Sequence, residues 1–315
     1  MAKTRSTLGS AGRRKGRFKK NLPLLAMCMP AMLLFFLFSY LPLPGLYMAF
    51  VNYNYAKGML GSRFVGWTNF KFLTLSGDLP MLVRNTVLYN LAFILVNNFC
   101  QIALALMLNE VRSKRFRKVS QAMVLLPYFI SFVIVGLFAY NILNADYGIL
   151  NNVREALGME RIAVYSMPGV WPPIFIFLNL WKNIGYGTII YFAAIMGIDT
   201  GMIEAAEIDG VSSWQRIRYI MLPCLRPTMV MLILFSIGSI LRGNFQLFYN
   251  VIGGSNKILF ETTDIIETYV YRAMMNNFNF SSAAAVSLFQ SVFGFATVLL
   301  ANHIVKRIEP DYALF

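Results

Sequence analysis

Six long apolar stretches dominate this 315-residue chain and limit what it can fold into. A helix needs about 20 consecutive, mostly apolar residues to cross the hydrocarbon core of a bilayer. Charged residues make up 13% of the chain, whereas a soluble domain carries about 25%. We therefore predict an all-α polytopic membrane protein with six transmembrane helices, at Leu24–Val51, Val87–Leu108, Ala122–Leu143, Val170–Ile198, Met229–Val251 and Ala283–Val305.

The first apolar stretch follows a basic segment, as the apolar region of a signal peptide would. It is too long for such a region, and no A-x-A-like cleavage site follows it. We interpret it as a membrane span. Its prolines are expected to kink or shorten the helix, and they are Pro23, Pro30, Pro42 and Pro44.

Basic residues cluster beside the apolar stretches, in segments that the positive-inside rule places in the cytoplasm. One block lies in the N-terminal segment 1–21, and a second lies between the second and third stretches. Six spans then put both termini in the cytoplasm and divide the chain into segment 1–21, a single transmembrane domain 22–308 and a tail 309–315. A net charge of +14 can indicate nucleic-acid binding, but this distribution favours membrane lipid as the partner, and no nucleic acid is expected.

Residue types that usually carry catalysis or bind metals are sparse. The three cysteines, Cys28, Cys100 and Cys224, form no CxxC pair, and the one histidine, His303, lies near the end of the last apolar stretch. Neither a disulfide framework nor a metal site is expected, and we predict no catalytic residue. The chain also lacks the G-x-x-x-x-G-K-[ST] pattern of a nucleotide-binding loop.

The predicted cytoplasmic loop 199–226 has the pattern of two short helices separated by a glycine. Gly210 can take the left-handed conformation that ends a helix. Ser212 and Gln215 have the spacing of a capping box at the start of the next helix, and Pro223 is expected to end that helix. The loop could instead be an interfacial helix that lies on lipid. Three acidic residues beside an anionic leaflet disfavour this alternative, namely Glu204, Glu207 and Asp209.

The same loop closely resembles the EAA loop of permease subunits from binding-protein-dependent ABC importers. The match consists of a glutamate and two alanines, a glycine after three further residues, and a leucine–proline pair beyond the glycine. In that family the loop forms the coupling helix, which sits in a groove of the ATPase subunit. The resemblance therefore implies an ATPase-coupling role for Glu204, Ala205, Ala206, Asp209, Gly210, Ile220, Leu222 and Pro223.

Three further stretches are similar to permeases of the maltose-type carbohydrate-uptake family, namely Trp181–Tyr191, Thr263–Arg272 and Tyr312–Phe315. They look most like the subfamily that serves oligosaccharides and polysaccharide fragments, including uronide-containing ones. The resemblance implies the six-helix core of type I ABC importer permeases, in a bacterial cytoplasmic membrane. It also implies a heterodimer with a second, similar permease, two ABC ATPase subunits and an extracytoplasmic solute-binding protein. ATP and Mg²⁺ would bind to the ATPase, so this subunit would bind no cofactor and would not be an enzyme.

An ion-coupled secondary sugar transporter is the alternative function. Such carriers usually keep carboxylates or histidines inside the membrane to bind protons or Na⁺. All 14 acidic residues of this chain fall in predicted loops or at predicted span ends. The sequence therefore favours the ATP-driven importer.

Polar residues inside the spans fall on helix faces that could line a substrate pathway. From the fourth span the predicted pathway residues are Asn179, Lys182, Asn183 and Tyr186, and from the fifth they are Arg242, Gln246, Tyr249 and Asn250. In the second span, the spacing of the polar residues allows one helix face to carry all three of Asn90, Asn97 and Gln101. For that span, hydrogen bonding between helices is an equally good interpretation.

Lys182 and Arg242 lie deep in predicted spans, and no carboxylate of the chain is expected beside them. An unpaired charge inside a bilayer is costly unless it faces water or a partner. An acidic residue of the second permease, a wet cavity for neutral sugars, or a cavity for an anionic sugar could each accommodate them. We rank a neutral oligosaccharide ahead of an acidic one, because sugar hydroxyls accept hydrogen bonds from cations and neutral substrates predominate in the family that the chain resembles.

Overall fold

The computed structural model describes residues 10–254 and 256–308, and most of them are helical. Residues 1–9 of the basic segment and the predicted tail 309–315 lie outside the described residues. Within the described part the chain forms fifteen α-helices: α1 (Ser10–Phe35), α2 (Gly58–Gly61), α3 (Thr68–Leu75), α4 (Asp78–Glu110), α5 (Lys114–Phe129), α6 (Phe132–Leu143), α7 (Ile149–Ala156), α8 (Trp171–Met196), α9 (Thr200–Ile208), α10 (Ser213–Arg216), α11 (Leu222–Ile237), α12 (Phe245–Ile252), α13 (Phe260–Thr263), α14 (Ile266–Met275) and α15 (Phe280–Ile308).

Shorter elements join these helices. A two-stranded antiparallel ribbon, β1 (Val51–Asn54) and β2 (Ser62–Phe64), follows the first span, with Val51 opposite Phe64. The sequence did not predict this ribbon, but it is too small to change the all-α class. The remaining elements are π turns at Phe36–Tyr40 and Ile217–Met221, and 3-10 turns at Leu43–Phe50, Val164–Ser166, Pro168–Val170 and Lys257–Leu259.

Four helical segments in the described residues are long and apolar enough to cross a membrane alone, and two bent helix pairs also qualify. Counting each bent pair as one span gives six, the predicted number. The four are Asn21–Phe50, Asp78–Glu110, Ser213–Ile237 and Phe280–Arg307. The bent pairs are Lys114–Phe129 with Phe132–Leu143, at 89°, and Pro168–Met196 with Thr200–Ile208, at 73°.

The third span is broken, although the sequence predicted one continuous helix. Helix α5 ends at Phe129, and α6 starts at Phe132 at nearly a right angle. Pro127 lies in the last turn of α5, and the Ser131 side chain accepts a hydrogen bond from the backbone N–H of Ile134 at the start of α6. A proline followed by a capping serine is a combination that ends one helix and begins another.

The fifth span differs from the predicted Met229–Val251 at both ends. It begins within the predicted loop, at Ser213, and its helix ends at Ile237. A non-helical segment follows, and α12 starts only at Phe245, where the Asn244 side chain accepts a hydrogen bond from a backbone N–H. Pro223 does not end the helix as predicted. It follows the wide π turn as the second residue of α11, a position where a proline is tolerated.

The buried core centres on the contact between α4 and α8. Its largest cluster combines aromatic rings from α4, α8 and α12 with aliphatic side chains, and the rings of Phe175 and Phe248 stack there with centroids 4.0 Å apart. Gly185 brings α8 against α5 so closely that an added Cβ would lie 2.2 Å from the Val124 carbonyl oxygen. Close backbone contact at a small residue is typical of packed membrane helices.

Helix α1 stands apart from this core. Every residue from Asn21 to Pro44 is exposed. The predicted effect of the prolines is seen at the C-terminal end of the span, where the α-helix changes to a π turn at Phe36 and to a 3-10 turn at Leu43. The first span is therefore the least integrated of the six.

Candidate functional site

A polar cavity of about 340 Å³ lies between α4, α8 and α11. Its walls are formed mostly by side-chain amides, hydroxyls and aromatic rings. Of the predicted pathway residues, it is lined by Asn179, Asn183, Tyr186 and Arg242, and of the predicted face of the second span by Asn90, Asn97 and Gln101. Its other polar lining residues are Asn98, Ser236, Ser239 and Asn244.

Several of these amides also join the helices that form the cavity wall. The Asn97 Nδ2 donates to Asn179 Oδ1 at 2.8 Å, and the Gln101 Nε2 donates to the Asn183 carbonyl at 3.0 Å. Gly187 makes room for Gln101, because an added Cβ there would lie 2.1 Å from its side chain. The second-span amides therefore pair helices, as one interpretation predicted, and they also lie in the cavity wall.

The break in the fifth span forms one side of the cavity. It frees backbone carbonyls that a continuous helix would satisfy. The Asn90 Nδ2 donates to the carbonyls of Ile240 and Arg242, each at 2.9 Å, and the Gln290 Nε2 donates to the Leu241 carbonyl at 2.5 Å. Amides from α4 and α15 thus stabilise this break.

Arg242 is the one charged side chain among the described residues that line the cavity. Contrary to the sequence-based expectation, a carboxylate lies near it, that of Glu267 on α14. Burial raises the pKa of the Glu267 carboxyl above its usual value, and the Arg242 charge acts in the opposite direction. The Gln290 Nε2 also donates to Glu267 Oε1 at 2.6 Å. The sequence did not reveal this neighbour because α14 lies outside the membrane-spanning stretches.

Lys182 is buried and does not belong to the described cavity lining. Its ammonium group donates to the carbonyls of Pro127, at 3.3 Å, Tyr128, at 2.9 Å, and Ile130. It also lies 4.7 Å from the centre of the Phe132 ring, a cation–π distance. The cation thus satisfies carbonyls at the break between α5 and α6, and this accounts for it without a substrate.

The other three predicted residues of the fifth span lie on α12, and they are not part of the described cavity lining. The predicted face assumed one continuous helix, and its periodicity does not extend across the break at 238–244. Asn250 donates to the carbonyl of Gln246 at 2.7 Å. Tyr249 packs against Tyr271 with ring centroids 4.8 Å apart, beside a small hollow that also includes Asp264.

The predicted coupling loop has the expected helix–turn–helix geometry. Gly210 has a φ of +72°, and the backbone N–H groups of Gly210 and Val211 donate to the carbonyls of Glu207 and Ala206, at 3.1 and 3.0 Å. This is the Schellman arrangement that ends a helix at a left-handed glycine. Ser212 and Gln215 form the predicted capping box. Both local predictions are confirmed.

The coupling residues differ in exposure. Glu204, Ala205, Asp209, Gly210 and Pro223 are exposed, Ile220 and Leu222 are half-buried, and Ala206 is buried. Beyond them, Met221 and Leu225 are fully buried in a cluster with residues of α4 and α8.

The loop also presents apolar side chains to its surroundings. Ile208 is 86% exposed, and Trp214 is 68% exposed. One side of the loop is therefore anchored in the helix bundle, while the other presents acidic and apolar groups.

A membrane-spanning helix bundle with a polar cavity and a helix–turn–helix loop defines a membrane transport subunit. The chain belongs to the family described as the binding-protein-dependent transport system inner membrane component, which matches residues 101–310. The predicted family, fold and class of function are thereby confirmed.

Individual relatives cover nearly the whole chain. The polygalacturonan/rhamnogalacturonan transport system permease protein YteP of Bacillus subtilis (strain 168) is 33% identical over 288 residues, which are 91% of this chain and 89% of the relative. Protein LplB of the same organism is 32% identical over 293 residues, 93% of this chain and 91% of the relative.

A solved structure has the same fold. It is a chain from the crystal structure of a bacterial ABC transporter involved in the import of the acidic polysaccharide alginate. The identity is 34% and the TM-score 0.85, and the match covers 94% of this chain and 99% of that chain. A second structure is described as a bacterial alginate ABC transporter in complex with an alginate pentasaccharide-bound periplasmic protein; it matches with 35% identity and a TM-score of 0.83, over 93% of this chain and 97% of that chain.

Proposed function

We propose that this chain is one of two permeases that form the membrane pathway of an ATP-driven importer for an acidic, uronate-bearing oligosaccharide. The cavity carries the proposal, because amides and one guanidinium surround a space between membrane helices. Amides both donate to and accept from sugar hydroxyls, and a guanidinium binds a carboxylate through two parallel hydrogen bonds. The permease itself is no enzyme and binds no cofactor, since ATP and Mg²⁺ belong to the ATPase.

The acidic substrate replaces the neutral sugar that the sequence favoured. Two observations support the change. Lys182 is satisfied by backbone carbonyls, so Arg242 is left as the cation that faces the cavity. In addition, two of the most similar proteins are named for acidic polymers, YteP for polygalacturonan/rhamnogalacturonan and the solved transporter for alginate. A relative named for lactose, a neutral sugar, is similar over a smaller part of this chain, 65%.

A second permease is proposed because the first span is exposed over most of its length, although its C-terminal end at Ala49 is buried against the bundle. A helix exposed from Asn21 to Pro44 offers a long apolar surface to a neighbouring subunit, and membrane helices associate through such surfaces. A heterodimer with a similar permease fits this role. The complex would contain two ABC ATPase subunits, and one of them would bind the loop at 199–226 of this chain, through exposed side chains such as Glu204 and Ile208.

The proposed orientation puts both termini in the cytoplasm of a bacterium, so that the loop faces the ATPases. An extracytoplasmic solute-binding protein would deliver the sugar from the other side. In this arrangement ATP binding to the ATPases moves the loop. The helix bundle responds by changing the side of the membrane to which the cavity is open.

The test is uptake by the complete complex in proteoliposomes, with a neutral and an acidic oligosaccharide of equal length. Arg242→Gln should weaken uptake of the acidic sugar about tenfold or more, because a charge-assisted hydrogen bond is lost, and should leave neutral uptake near normal. Lys57→Gln, which removes an exposed cation of the first loop, is the matched control. Equal effects of Arg242→Gln on both sugars would contradict the acidic specificity.

Membership of the binding-protein-dependent family disfavours the ion-coupled carrier, the alternative function from the sequence. Glu267 is the observation in its favour, because it is a partly buried carboxyl near the cavity. Uptake that follows a proton or sodium gradient without ATPase subunits would support this candidate and would refute the ATP-driven importer.

A further inference from the structure

Arg216, in the second helix of the coupling loop, binds two carboxylates from two different helices. Its Nη2 donates to both carboxylate oxygens of Glu110, at 2.7 and 2.9 Å. Its Nη1 donates to Glu207 Oε1 at 2.7 Å. The arginine side chain is 16% exposed, so the cluster is partly shielded from solvent.

The three residues connect three separate elements. Glu110 is the last residue of α4, Glu207 lies in α9, and Arg216 ends α10. Since α9 and α10 are the two arms of the helix–turn–helix, Arg216 holds both arms and the end of α4 together.

Helix α4 is also a wall of the cavity, through Asn90, Asn97 and Gln101. A movement of the loop that is transmitted to Glu110 therefore acts on the helix that carries these amides. Beside the ion cluster, Met221 and Leu225 pack against Ala105 and Leu106 of α4. The apolar contact permits the loop to slide along α4, because it is non-directional. The ion pairs of the guanidinium, in contrast, fix the orientation of the loop relative to α4.

The chemistry requires arginine. A guanidinium presents donors in a rigid fork and can bind two carboxylates at once, whereas an ammonium group is a point charge. Ion pairs that are partly exposed contribute little to stability. The cluster is therefore better suited to fixing geometry than to stabilising the fold.

We propose that Arg216 is a positioning residue that couples the ATPase-driven movement of the loop to α4 and thereby to the cavity. This proposal rests on the proposed function, because it requires an ATP-driven importer. The charge of Arg216 acts inside the permease, between Glu110 and Glu207, and is distinct from the exposed residues of the loop that would meet the ATPase.

The experiment measures uptake and ATP hydrolysis in the same proteoliposomes, with the complete complex and its binding protein. Arg216→Gln should retain assembly and basal ATP hydrolysis but reduce the number of sugar molecules transported per ATP by about fivefold or more, the range of a typical coupling free energy. Arg216→Lys should restore only part of the ratio, because it cannot bind both carboxylates through a fork.

A double-mutant cycle identifies the interaction. Glu110→Gln alone should lower the ratio, and Glu110→Gln combined with Arg216→Gln should be no worse than Arg216→Gln alone. Arg161→Gln is the matched control, since it removes another ion pair, with Glu155 at 2.6 Å, that lies outside the loop. This control should leave transport per ATP unchanged.

The outcomes separate the two proposals. An unchanged ratio in Arg216→Gln, or strictly additive effects in the cycle, would overturn the role of Arg216. So would a loss of assembly in both Arg216→Gln and Glu110→Gln, which would assign the cluster to folding. If the unmodified complex shows no ATP-driven uptake, the proposed function itself fails.

Discussion

Replacing Lys182 by methionine separates a structural role from a pathway role. The ammonium group donates to three carbonyls at the break between α5 and α6. Methionine has a similar length but no donor. The change leaves the carbonyl oxygens of Pro127, Tyr128 and Ile130 without this partner, in a site where Lys182 is 6% exposed.

The expected cost follows from those three acceptors, of which the Pro127 carbonyl keeps a second donor, the backbone N–H of Ile130 at 3.2 Å. A buried acceptor that loses its partner costs about 1–3 kcal/mol, and the three losses are not additive because one group serves them all. We expect Lys182→Met to destabilise the subunit by about 3 kcal/mol, near the value for one fully unsatisfied group. For a chain of this size, such a loss lowers the melting temperature by on the order of 10 °C.

The assay is thermal unfolding of the purified complex in detergent, followed by uptake at a low temperature. Lys57→Gln is the matched control, since it removes an exposed cation of the first loop and should leave the melting temperature unchanged. Lys182→Met should melt earlier and discriminate neutral from acidic sugars as the unmodified protein does. A normal melting temperature with selective loss of acidic-sugar uptake would refute the structural role of Lys182. It would instead support the prediction that Lys182 lines the substrate pathway.

Three further predictions concern the loop, the orientation and the helix break. Gly210→Pro should abolish substrate-stimulated ATP hydrolysis in an assembled complex, because proline cannot take a φ of +72°; normal stimulation would contradict the coupling assignment. In a variant without native cysteines, cysteines at Ser113 and Ser213 should be protected from an impermeant thiol reagent in intact cells and one at Asn277 should be labelled; labelling at 213 would reverse the orientation. Gln290→Leu should destabilise the subunit by about 1–3 kcal/mol and so lower its melting temperature, since the Leu241 carbonyl loses its donor. Ser291→Ala on the same helix should not, and equal melting temperatures of the two variants would exclude this role of Gln290.

The sequence predicted the features that depend on local chemistry. Six spans followed from stretches of apolar residues, and the turn at Gly210 and the capping box at Ser212 followed from residue types at fixed spacing. These signals are contained within a few residues. The family resemblance rested on the same local pattern and was confirmed.

The break in the third span has a local signal, Pro127 followed by Ser131, but the geometry of the breaks in the third and fifth spans could not be predicted in the same way. They depend on donors that are distant in the sequence, such as Asn90, which binds the Ile240 carbonyl 150 residues away. Lys182 similarly binds a carbonyl 52 residues before it. Periodicity across an unrecognised break then placed Gln246 and Tyr249 on one helix face with Arg242, whereas they lie on the separate helix α12. Pairing between distant amides and carbonyls has no signature in a single sequence.

The exposed first helix has a consequence for how the protein is built. Because every residue from Asn21 to Pro44 is exposed and the span is strongly apolar, we expect this helix to insert into the membrane on its own hydropathy, without help from packing against the other five spans. Its sequence is therefore not constrained by side-chain packing in the interior of the bundle. An unrelated apolar helix of equal length could replace it while the bundle folds as before. Any function lost in such a replacement would then depend on contacts of this helix in the assembled transporter, and not on the fold of this subunit.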